Sequence, residues 1–388
     1  MPAVLRTGLP GLLFSLLTVL VACVLSNLLH RWFARRSEFF VRHRRVLLGT
    51  VYGLVALGPL GRWLVAAGLT DRLNWIEAVG QLFSLTLLMA VPALYLRDFV
   101  LDKTLGPKRE EPSVDTERRE LLVGGAFVGV SLAPLLWGVK SRFDAEIVEI
   151  PVRLAKLPKA LDGLSIVQVS DIHIGAFLGE AQLLDAERMV AALRPDLVVM
   201  TGDLVHLRPS YLPLGVDWVR RLGERARYGA LSILGNHEYY TGRAAVLDAF
   251  DRAKLELLIN RGKRIEKGLV IGGVDDLWSA AKGFPAPDAA AAFADATPDD
   301  ARVLLAHQPT FHPFAATHGV DLQLSGHTHG GQIAPYGPMV ARALFGPYRG
   351  LHRIGASNLY VNRGFGTSGP PVRVAVRPEI TKIILVAG

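Results

Sequence analysis

The chain has 388 residues, a formal net charge of +8, 50% hydrophobic residues and 20% charged residues. Soluble domains usually carry about 25% charged residues, so this composition indicates membrane segments joined to a soluble domain. The single cysteine, Cys23, excludes an intrachain disulfide and a thiolate metal site, so any metal must be held by His, Asp, Glu or Asn.

Four apolar stretches occupy the first 140 residues. They lie at residues 9–29, 46–69, 81–96 and 121–139. A helix needs about 20 apolar residues to cross the hydrocarbon core of a bilayer. Four such stretches in succession predict transmembrane helices rather than buried helices of a soluble protein. The second contains Pro59 and Arg62, so we expect a kink or an early end, and the third is short.

Positive charge is concentrated in two of the connecting loops. Residues 31–45 hold six arginines and one glutamate, and residues 97–119 hold six lysines and arginines, whereas the loop between them on the other side holds only Arg72. Lys and Arg favour the cytoplasmic side. We therefore expect a multi-pass protein of the cell inner membrane, with the chain after the fourth stretch on the periplasmic or extracellular side. Because the basic charge is local and no base-reading motif accompanies it, we expect no nucleic-acid partner.

The pair Arg118-Arg119, just before the fourth stretch, leaves two interpretations open. It resembles a twin-arginine export signal, and it also fits two ordinary arginines on the cytoplasmic side of a span. No small-residue cleavage site follows Trp137, so we expect the anchor to stay in the protein.

The sequence pattern changes at about Phe143, after a polar, proline-containing linker predicted at residues 97–120. From there, short apolar runs alternate with amphipathic segments. We predict strands at 164–170, 197–200, 230–234, 303–306 and 322–324, helices at 181–193, 213–222 and 289–296, and several β segments within 358–386. This alternation is typical of βαβ units. We therefore divide the chain into a membrane region, residues 1–142, and an α/β domain, residues 143–388.

Five polar clusters directly follow strand-like runs in the second region. They are Asp171-Ile-His173, Gly202-Asp203, Gly235-Asn236-His237-Glu238, His307 and Gly326-His327-Thr328-His329. Sites in α/β sheets lie beyond the carboxyl ends of the strands, and imidazole and carboxylate ligands suit Zn, Fe or Mn. Residues i and i+2 of a strand point to the same side, so Asp171 and His173 can reach one ion, as can His327 and His329. A carboxylate such as Asp203 can bridge two ions.

In this order, the five clusters resemble the motifs of the calcineurin-like metallophosphoesterase family over residues 164–386. The stretch 326–332 and the tail segment Tyr360-Val-Asn-Arg-Gly-Phe-Gly366 are similar to its membrane-anchored bacterial branch. The resemblance implies a four-layer α/β/β/α sandwich. The whole chain is then N-terminal transmembrane α-helices followed by an α/β metallophosphoesterase domain.

The resemblance also implies a role for each matched residue. Asp171, His173 and His329 would hold a first divalent ion, and Asn236, His307 and His327 a second, with Asp203 bridging both. His237 would be no ligand. It would be the catalytic residue that protonates the leaving oxygen or stabilises the transition state. The nucleophile would be a hydroxide between two divalent metal ions, which could be Mn, Fe or Zn.

Several other residues keep two interpretations each. His206, where related enzymes often have an acidic residue, is either part of the site or structural, and it argues against a protein Ser/Thr phosphatase. Glu238 either orients a ligand or caps a helix. Arg363 either contacts a substrate phosphate or is a structural arginine. The remaining histidines that we expect to be structural are His30, His43, His312, His318 and His352.

The resemblance favours an enzyme, a metal-dependent phosphodiesterase or pyrophosphatase at the membrane surface. By analogy alone, its partners would be the lipid bilayer and a phosphoester substrate that is lipid-linked or part of the cell envelope, such as a sugar-nucleotide lipid. The alternative is a non-catalytic membrane receptor or scaffold that retains the fold, although no ligand position is missing. A transporter or sensor with an attached hydrolase is suggested by Arg62 alone. The oligomeric state stays open.

Overall fold

A computed structural model describes residues 8–66, 74–105, 114–175 and 177–388. The chain divides into two compact units, Met1–Val139 and Lys140–Gly388. The first unit is helical and the second contains all twelve strands of the described residues.

Five helices lie in the described residues of the first unit. They are α1 (Gly8–Ala34), α2 (Glu38–Arg42), α3 (Arg44–Ala66), α4 (Asn74–Leu105) and α5 (Val114–Ser141). Four of them, all except α2, are long and apolar enough to cross a membrane, as predicted. α3 continues through Pro59 to Ala66, so it does not end at the proline. The short third stretch lies within the longest described helix, α4, whose 32 residues exceed the ~20 needed for a span.

The linker predicted at residues 97–120 is also largely helical, because α4 runs to Leu105 and α5 begins at Val114. A half-buried network of charged groups explains why helices continue here. Arg36, in the turn just after α1, pairs with Asp98 of α4 and with Glu120 of α5, and Arg97 donates to Glu120 at 2.8 Å. The carboxyl ends of α1 and α4 therefore lie on the same side as the amino end of α5, which is the arrangement of alternating spans. The end of the second predicted stretch, residues 67–69, and Arg72 lie outside the described residues.

Arg62 has a partner within the helical unit. Its Nε lies 3.0 Å from Glu77 of α4, which also accepts from Gln81. The two helices touch closely here, because a Cβ on Gly61 would lie 2.2 Å from the backbone nitrogen of Glu77. Small residues permit such close helix contacts in membrane proteins. The charge of Arg62 thus joins α3 to α4, which leaves the transporter or sensor interpretation without its one motivating observation.

The second unit contains two six-stranded sheets. The first sheet has the spatial order β1 (Glu146–Leu154), β12 (Glu379–Ala387), β2 (Ser165–Val169), β3 (Leu197–Met200), β4 (Ala230–Ser232) and β5 (Glu256–Leu257). The second has the order β10 (Gly350–Ile354), β11 (Ser357–Val361), β9 (Leu322–Ser325), β8 (Ala301–Leu305), β7 (Leu269–Gly273) and β6 (Arg261–Glu266). The central strands β2, β3 and β4 are parallel, as are β7, β8 and β9.

Eight helices accompany these sheets. They are α6 (Glu180–Leu193), α7 (Leu212–Gly223), α8 (Asn236–Thr241), α9 (Arg243–Arg252), α10 (Trp278–Ala281), α11 (Ala289–Ala292), α12 (His312–Thr317) and α13 (Tyr336–Phe345). The helix predicted at 289–296 is shorter than expected. It ends where the ring of Phe293 turns into the core against Gly272.

The strand residues alternate between two cores, which explains why the central strands are apolar on both faces. Ile166 and Val199 belong to the core between the sheets, while Val167 and Val198 pack under α6, α7 and α9. A third core, which includes Leu304, lies between the second sheet and α11 and α12. The order of layers is therefore helix, sheet, sheet, helix, which confirms the predicted four-layer α/β/β/α sandwich.

Candidate metal centre

The five polar clusters meet at one edge of the sandwich because they follow neighbouring parallel strands. Asp171 follows β2, Asp203 follows β3 and Asn236 follows β4 in the first sheet. His307 follows β8 and His327 follows β9 in the second. The loops are hydrogen-bonded to each other, since the backbone N–H of His173 donates to the carbonyl of Asp203 at 3.0 Å.

One group of donor atoms is formed by Asp171, His173 and His329. Their ligand atoms lie within 4.8 Å of one another, and all three side chains are buried. Nε2 of His173 is 3.1 Å from Nε2 of His329, and Nε2 of His329 is 3.4 Å from Oδ1 of Asp171. Asp203 borders the same group, because its Oδ2 lies 3.6 Å from Nε2 of His173.

A second group is formed by Asp203, His307 and His327, again within 4.8 Å. Nε2 of His307 lies 3.3 Å from Oδ2 of Asp203 and 3.2 Å from Nδ1 of His327. Oδ1 of Asn236 is 3.2 Å from the same Nε2. The carboxylate of Asp203 therefore contacts both groups. All seven predicted ligand residues are brought together in this way.

The local backbone differs from the strand geometry assumed in the sequence analysis. Asp171, His173, Asp203, His327 and His329 all have φ between 49° and 71°, in the left-handed region. Non-glycine residues adopt it rarely, and such strain collects at functional sites. His327 and His329 belong to different donor groups, which is the division that the family resemblance implies and not the shared ion that strand spacing alone would allow.

Neighbouring polar groups hold the two aspartates in place. Asp171 accepts from Oγ of Ser170 at 2.6 Å and from the backbone N–H of His327 at 3.0 Å. Oδ1 of Asp203 accepts from the backbone N–H of His237 at 2.9 Å. Each carboxylate thus ties its own loop to another loop of the site.

Glu238 fulfils both roles that the sequence left open. Its carboxylate accepts from the backbone N–H of Gly235 at 2.7 Å, which caps α8. It also accepts from the backbone N–H groups of Asp203 and Leu204, both at 2.9 Å. Because Glu238 is 2% exposed, these three bonds fix the loop of Asp203 against the loop of Asn236.

Burial makes most of the imidazole rings neutral. It lowers the pKa of His327 to about 3, with a further contribution from His307, and it lowers the pKa of His173 and His329 well below the usual value. Neutral imidazole is the form that binds a metal. Burial also raises the pKa of Asp171 to about 6.

His307 and Asp203 form a buried pair of opposite charge. The carbonyl of Thr201 accepts from Nδ1 of His307 at 2.7 Å, so Nε2 of a neutral ring would point a lone pair at the acceptors of Asp203 and Asn236. Burial alone would lower the pKa of His307, but the charge of Asp203 raises it well above its usual value. Lone-pair atoms of His307, Asp203 and Asn236 therefore converge on one point, which is an arrangement that a cation would stabilise.

The donor set suits divalent metals by type and by spacing. It combines imidazole nitrogen with carboxylate and amide oxygen, which bind Zn, Fe or Mn. Atoms held about 2.0–2.2 Å from a common ion lie roughly 3.0–3.6 Å apart, and the donor contacts within each group span 3.1 to 3.4 Å. Nδ1 of His173 is buried without a hydrogen bond to any described residue, so no contact holds this ring in a competing orientation.

His237 and His206 form, with His173, a third group whose ligand atoms lie within 4.8 Å of one another. The ring of His237 is 4.4 Å from that of His173 and 5.3 Å from that of His206, measured between centroids. Burial lowers the pKa of His237, so it too is neutral near pH 7. His206 is thus part of the site region, one of the two interpretations left open for it.

Two arginines take unexpected places. Arg363 pairs with Glu379 and Glu146, which supports the structural interpretation rather than a phosphate contact. Arg373, which the sequence analysis missed, is 2% exposed and lies against His329, 3.3 Å from its Nδ1. It donates to the carbonyls of loop residues 363, 364 and 366. Its position depends on the fold of a loop, which no local pattern reveals.

The five histidines expected to be structural make local contacts. His312 is buried, and its Nε2 lies 3.1 Å from Oγ of Ser357. His30, His43, His318 and His352 each lie within hydrogen-bond distance of a nearby backbone carbonyl. They take no part in the donor groups.

Comparison with known proteins supports the same interpretation. A family profile described as "Calcineurin-like phosphoesterase" matches residues 164–331. A Danio rerio "Transmembrane protein with metallophosphoesterase domain" is 32% identical over 69% of this chain and 64% of its own length. An "Uncharacterized metallophosphoesterase" of Campylobacter jejuni is 36% identical over 61% of this chain and 62% of its own length. One of Aquifex aeolicus is 31% identical over 65% of this chain and 97% of its own length.

The fold and the arrangement of the donor groups agree with the class that the family profile describes, the calcineurin-like phosphoesterases. The match spans less than two thirds of the Danio and Campylobacter relatives, but it spans almost the whole Aquifex protein. This chain belongs to the calcineurin-like metallophosphoesterase family.

Proposed function

We propose that this protein is a membrane-anchored phosphodiesterase or pyrophosphatase that works with two divalent ions. The observation that carries the proposal is the convergence of seven donor side chains into two groups that share Asp203. A dinuclear centre is the arrangement best suited to in-line displacement at phosphorus.

Asp171, His173 and His329 would hold the first ion, Asn236, His307 and His327 the second, and Asp203 both. When bound, such ions supply a water acidified to near-neutral pKa and positive charge against the phosphoryl oxygens. The chain itself supplies the rigid placement. The hydrogen bonds of Ser170 to Asp171 and of Glu238 to the loops keep the donors aligned before substrate arrives.

His237 would be the catalytic side chain that contacts the reacting group. It lies beside the first donor group without belonging to either proposed ligand set, and its backbone N–H is bound to Asp203. Because burial lowers its pKa, the ring enters the reaction neutral and donates an N–H hydrogen bond to the developing charge on the leaving oxygen. His206, next to it, can contact the same substrate group.

The membrane region bears on where the protein works. The four apolar helices and the transmembrane relative support a location in the cell inner membrane as a multi-pass protein. The arginine-rich loops support a periplasmic or extracellular position of the hydrolytic unit.

The test uses the full chain in lipid nanodiscs. After EDTA treatment, the protein should hydrolyse bis-p-nitrophenyl phosphate only when Mn²⁺, Fe²⁺ or Zn²⁺ is restored. His237→Ala should lower turnover by about 100-fold or more, the usual cost of removing one hydrogen-bond donor to the developing charge, and keep its bound metal. His318→Ala changes an exposed histidine and is the matched control. Metal binding without turnover in the wild type would support the receptor or scaffold alternative instead.

A further inference from the structure

Helix α13 carries apolar residues on the side that faces solvent. Tyr336, Met339, Val340 and Leu344 have the spacing i, i+3, i+4 and i+8, which places them on one face of a helix. Met339 is 66% exposed, Val340 55% and Leu344 67%. Within this helix the buried residue is Ala341, on another face. A helix that turns its apolar face outward is typical of a surface that binds a partner or a membrane.

The chain around this helix is positively charged. Between Asp321 and Glu379 the sequence contains six arginines and neither Asp nor Glu. Arg342 on α13 is exposed, and so are Arg349 and Arg353 in and beside the edge strand β10. Apolar residues next to exposed arginines are complementary to a bilayer with anionic head groups, where the side chains enter the lipid and the cations meet phosphate.

The same helix is anchored to the metal centre at both of its ends. Near its start, a Cβ on Gly337 would lie 1.7 Å from the carbonyl oxygen of Gly331, so the two glycines touch. At its end, the ring of Phe345 meets the ring of His327 edge-on, with centroids 5.2 Å apart. The exposed apolar face is therefore next to a proposed metal ligand and attached to the loop that carries it.

We propose that the docking face, formed by Tyr336, Met339, Val340 and Leu344, inserts into the head-group region of the bilayer and admits lipid-linked phosphoesters to the metal centre. The proposal has two halves. The substrate half, that lipid-linked phosphoesters reach the metal centre, rests on the proposed function. The docking half, that the face inserts into the bilayer, rests on exposure and charge. The connection to α5 favours a bilayer over a soluble partner as the occupant. α5 ends at Ser141 and β1 begins at Glu146, so the unit that carries the docking face is tethered directly to a helix that can span a membrane. Four intervening residues keep the docking face at a high effective concentration near any bilayer that α5 spans.

Docking is tested by the depth of spin labels in the full chain. In a Cys23→Ser background, cysteine replaces Met339, Leu344 or, as the control, Leu184, which is 41% exposed on α6. The labelled proteins are placed in nanodiscs of phosphatidylethanolamine and phosphatidylglycerol, and relaxation is measured with oxygen and with a water-soluble nickel chelate. We expect the first two labels to be accessible to oxygen and shielded from nickel, and the control to be accessible to nickel. Equal nickel access at all three positions would overturn the proposal, and so would shielding from both reagents, which indicates a protein partner or a second copy.

The substrate half is tested by turnover of two probes. Met339→Glu and Leu344→Glu should lower hydrolysis of CDP-diacylglycerol in phosphatidylglycerol vesicles roughly tenfold, the value of removing one leucine-sized side chain from an apolar environment. Hydrolysis of soluble bis-p-nitrophenyl phosphate should be unchanged, and Leu184→Glu should leave both activities intact. Turnover of the soluble ester with none of the lipid would overturn the substrate half. Absence of both activities in the wild type would instead sink the proposed function, while the label depths would still decide docking.

Discussion

Replacing Glu238 with Gln should weaken metal binding without touching any proposed ligand. One carboxylate oxygen accepts from the backbone N–H groups of Asp203 and Gly235, and the other from that of Leu204. A glutamine can place its oxygen toward the first pair, which turns its amide N–H₂ toward the N–H of Leu204. Two donors then face each other in a buried position.

The magnitude follows from that mismatch. A buried donor without an acceptor costs about 1–3 kcal/mol. Since the bond holds the loop of Asp203, we expect the cost to appear mainly in ion affinity. Removal of such a supporting partner typically weakens metal binding about 10- to 100-fold.

The measurement is a titration of the full chain in nanodiscs with Mn²⁺, with free Mn²⁺ followed by electron paramagnetic resonance. Glu224→Gln is the control, because that side chain is 59% exposed and pairs with Arg220 on the surface. The control should bind Mn²⁺ as the wild type does. If Glu238→Gln also bound Mn²⁺ with wild-type affinity, the argument that these three hydrogen bonds hold the ligand loops together would be refuted.

Three further outcomes are expected of the full chain. Gly326→Ala should lower turnover about 100-fold, because the added Cβ would lie 2.2 Å from Oδ2 of Asp171 and displacing a catalytic group by about 1 Å typically costs that much. Gly179→Ala is the control, since its Cβ would have its nearest contact at 4.0 Å, and it should keep full turnover. Arg373→Met leaves the carbonyls of residues 363 and 366 without a donor, whereas that of 364 keeps the backbone N–H of Glu379, so differential scanning fluorimetry should show a thermal midpoint lower by roughly 4–8 °C, with partial rescue in Arg373→Lys. Mn²⁺ at about 100 times its Kd should stabilise the EDTA-treated protein by about 2.7 kcal/mol, and an unchanged midpoint would contradict ion binding to the folded state.

The sequence predicted which residues meet, because their positions depend on strand order. Asp171, Asp203, Asn236, His307 and His327 each follow an apolar run, and parallel strands bring their carboxyl ends to one edge. Successive residues of the central strands enter opposite cores, and this too can be predicted from the local sequence because both kinds of position are apolar. Fold class and the set of candidate ligands were therefore accessible from sequence patterns and from the family resemblance.

The details that local patterns could not predict depend on loop conformation and on distant contacts. The grouping of His327 apart from His329 follows from positive φ angles at both residues, which strand spacing does not encode. Arg373 reaches His329 across 44 positions of sequence. In the helical unit, the pairing of Arg36 and Arg97 with Glu120 extends α4 and α5 into a segment that polarity alone marked as a linker.

The energetics of the site favour a centre built to bind ions over a surface that only binds a partner. Five ligand residues have positive φ angles, in the left-handed region. For residues other than glycine, this backbone conformation costs of order 1–3 kcal/mol each in folding free energy. Buried acceptors also face one another around His307 and Asp203, and they need a cation to be stable together. A recognition surface needs neither feature, since it can be built from exposed side chains on relaxed backbone. A centre that must hold ions rigidly before the reacting group arrives needs both, and the cores on either side of the central strands supply the stability that maintains them.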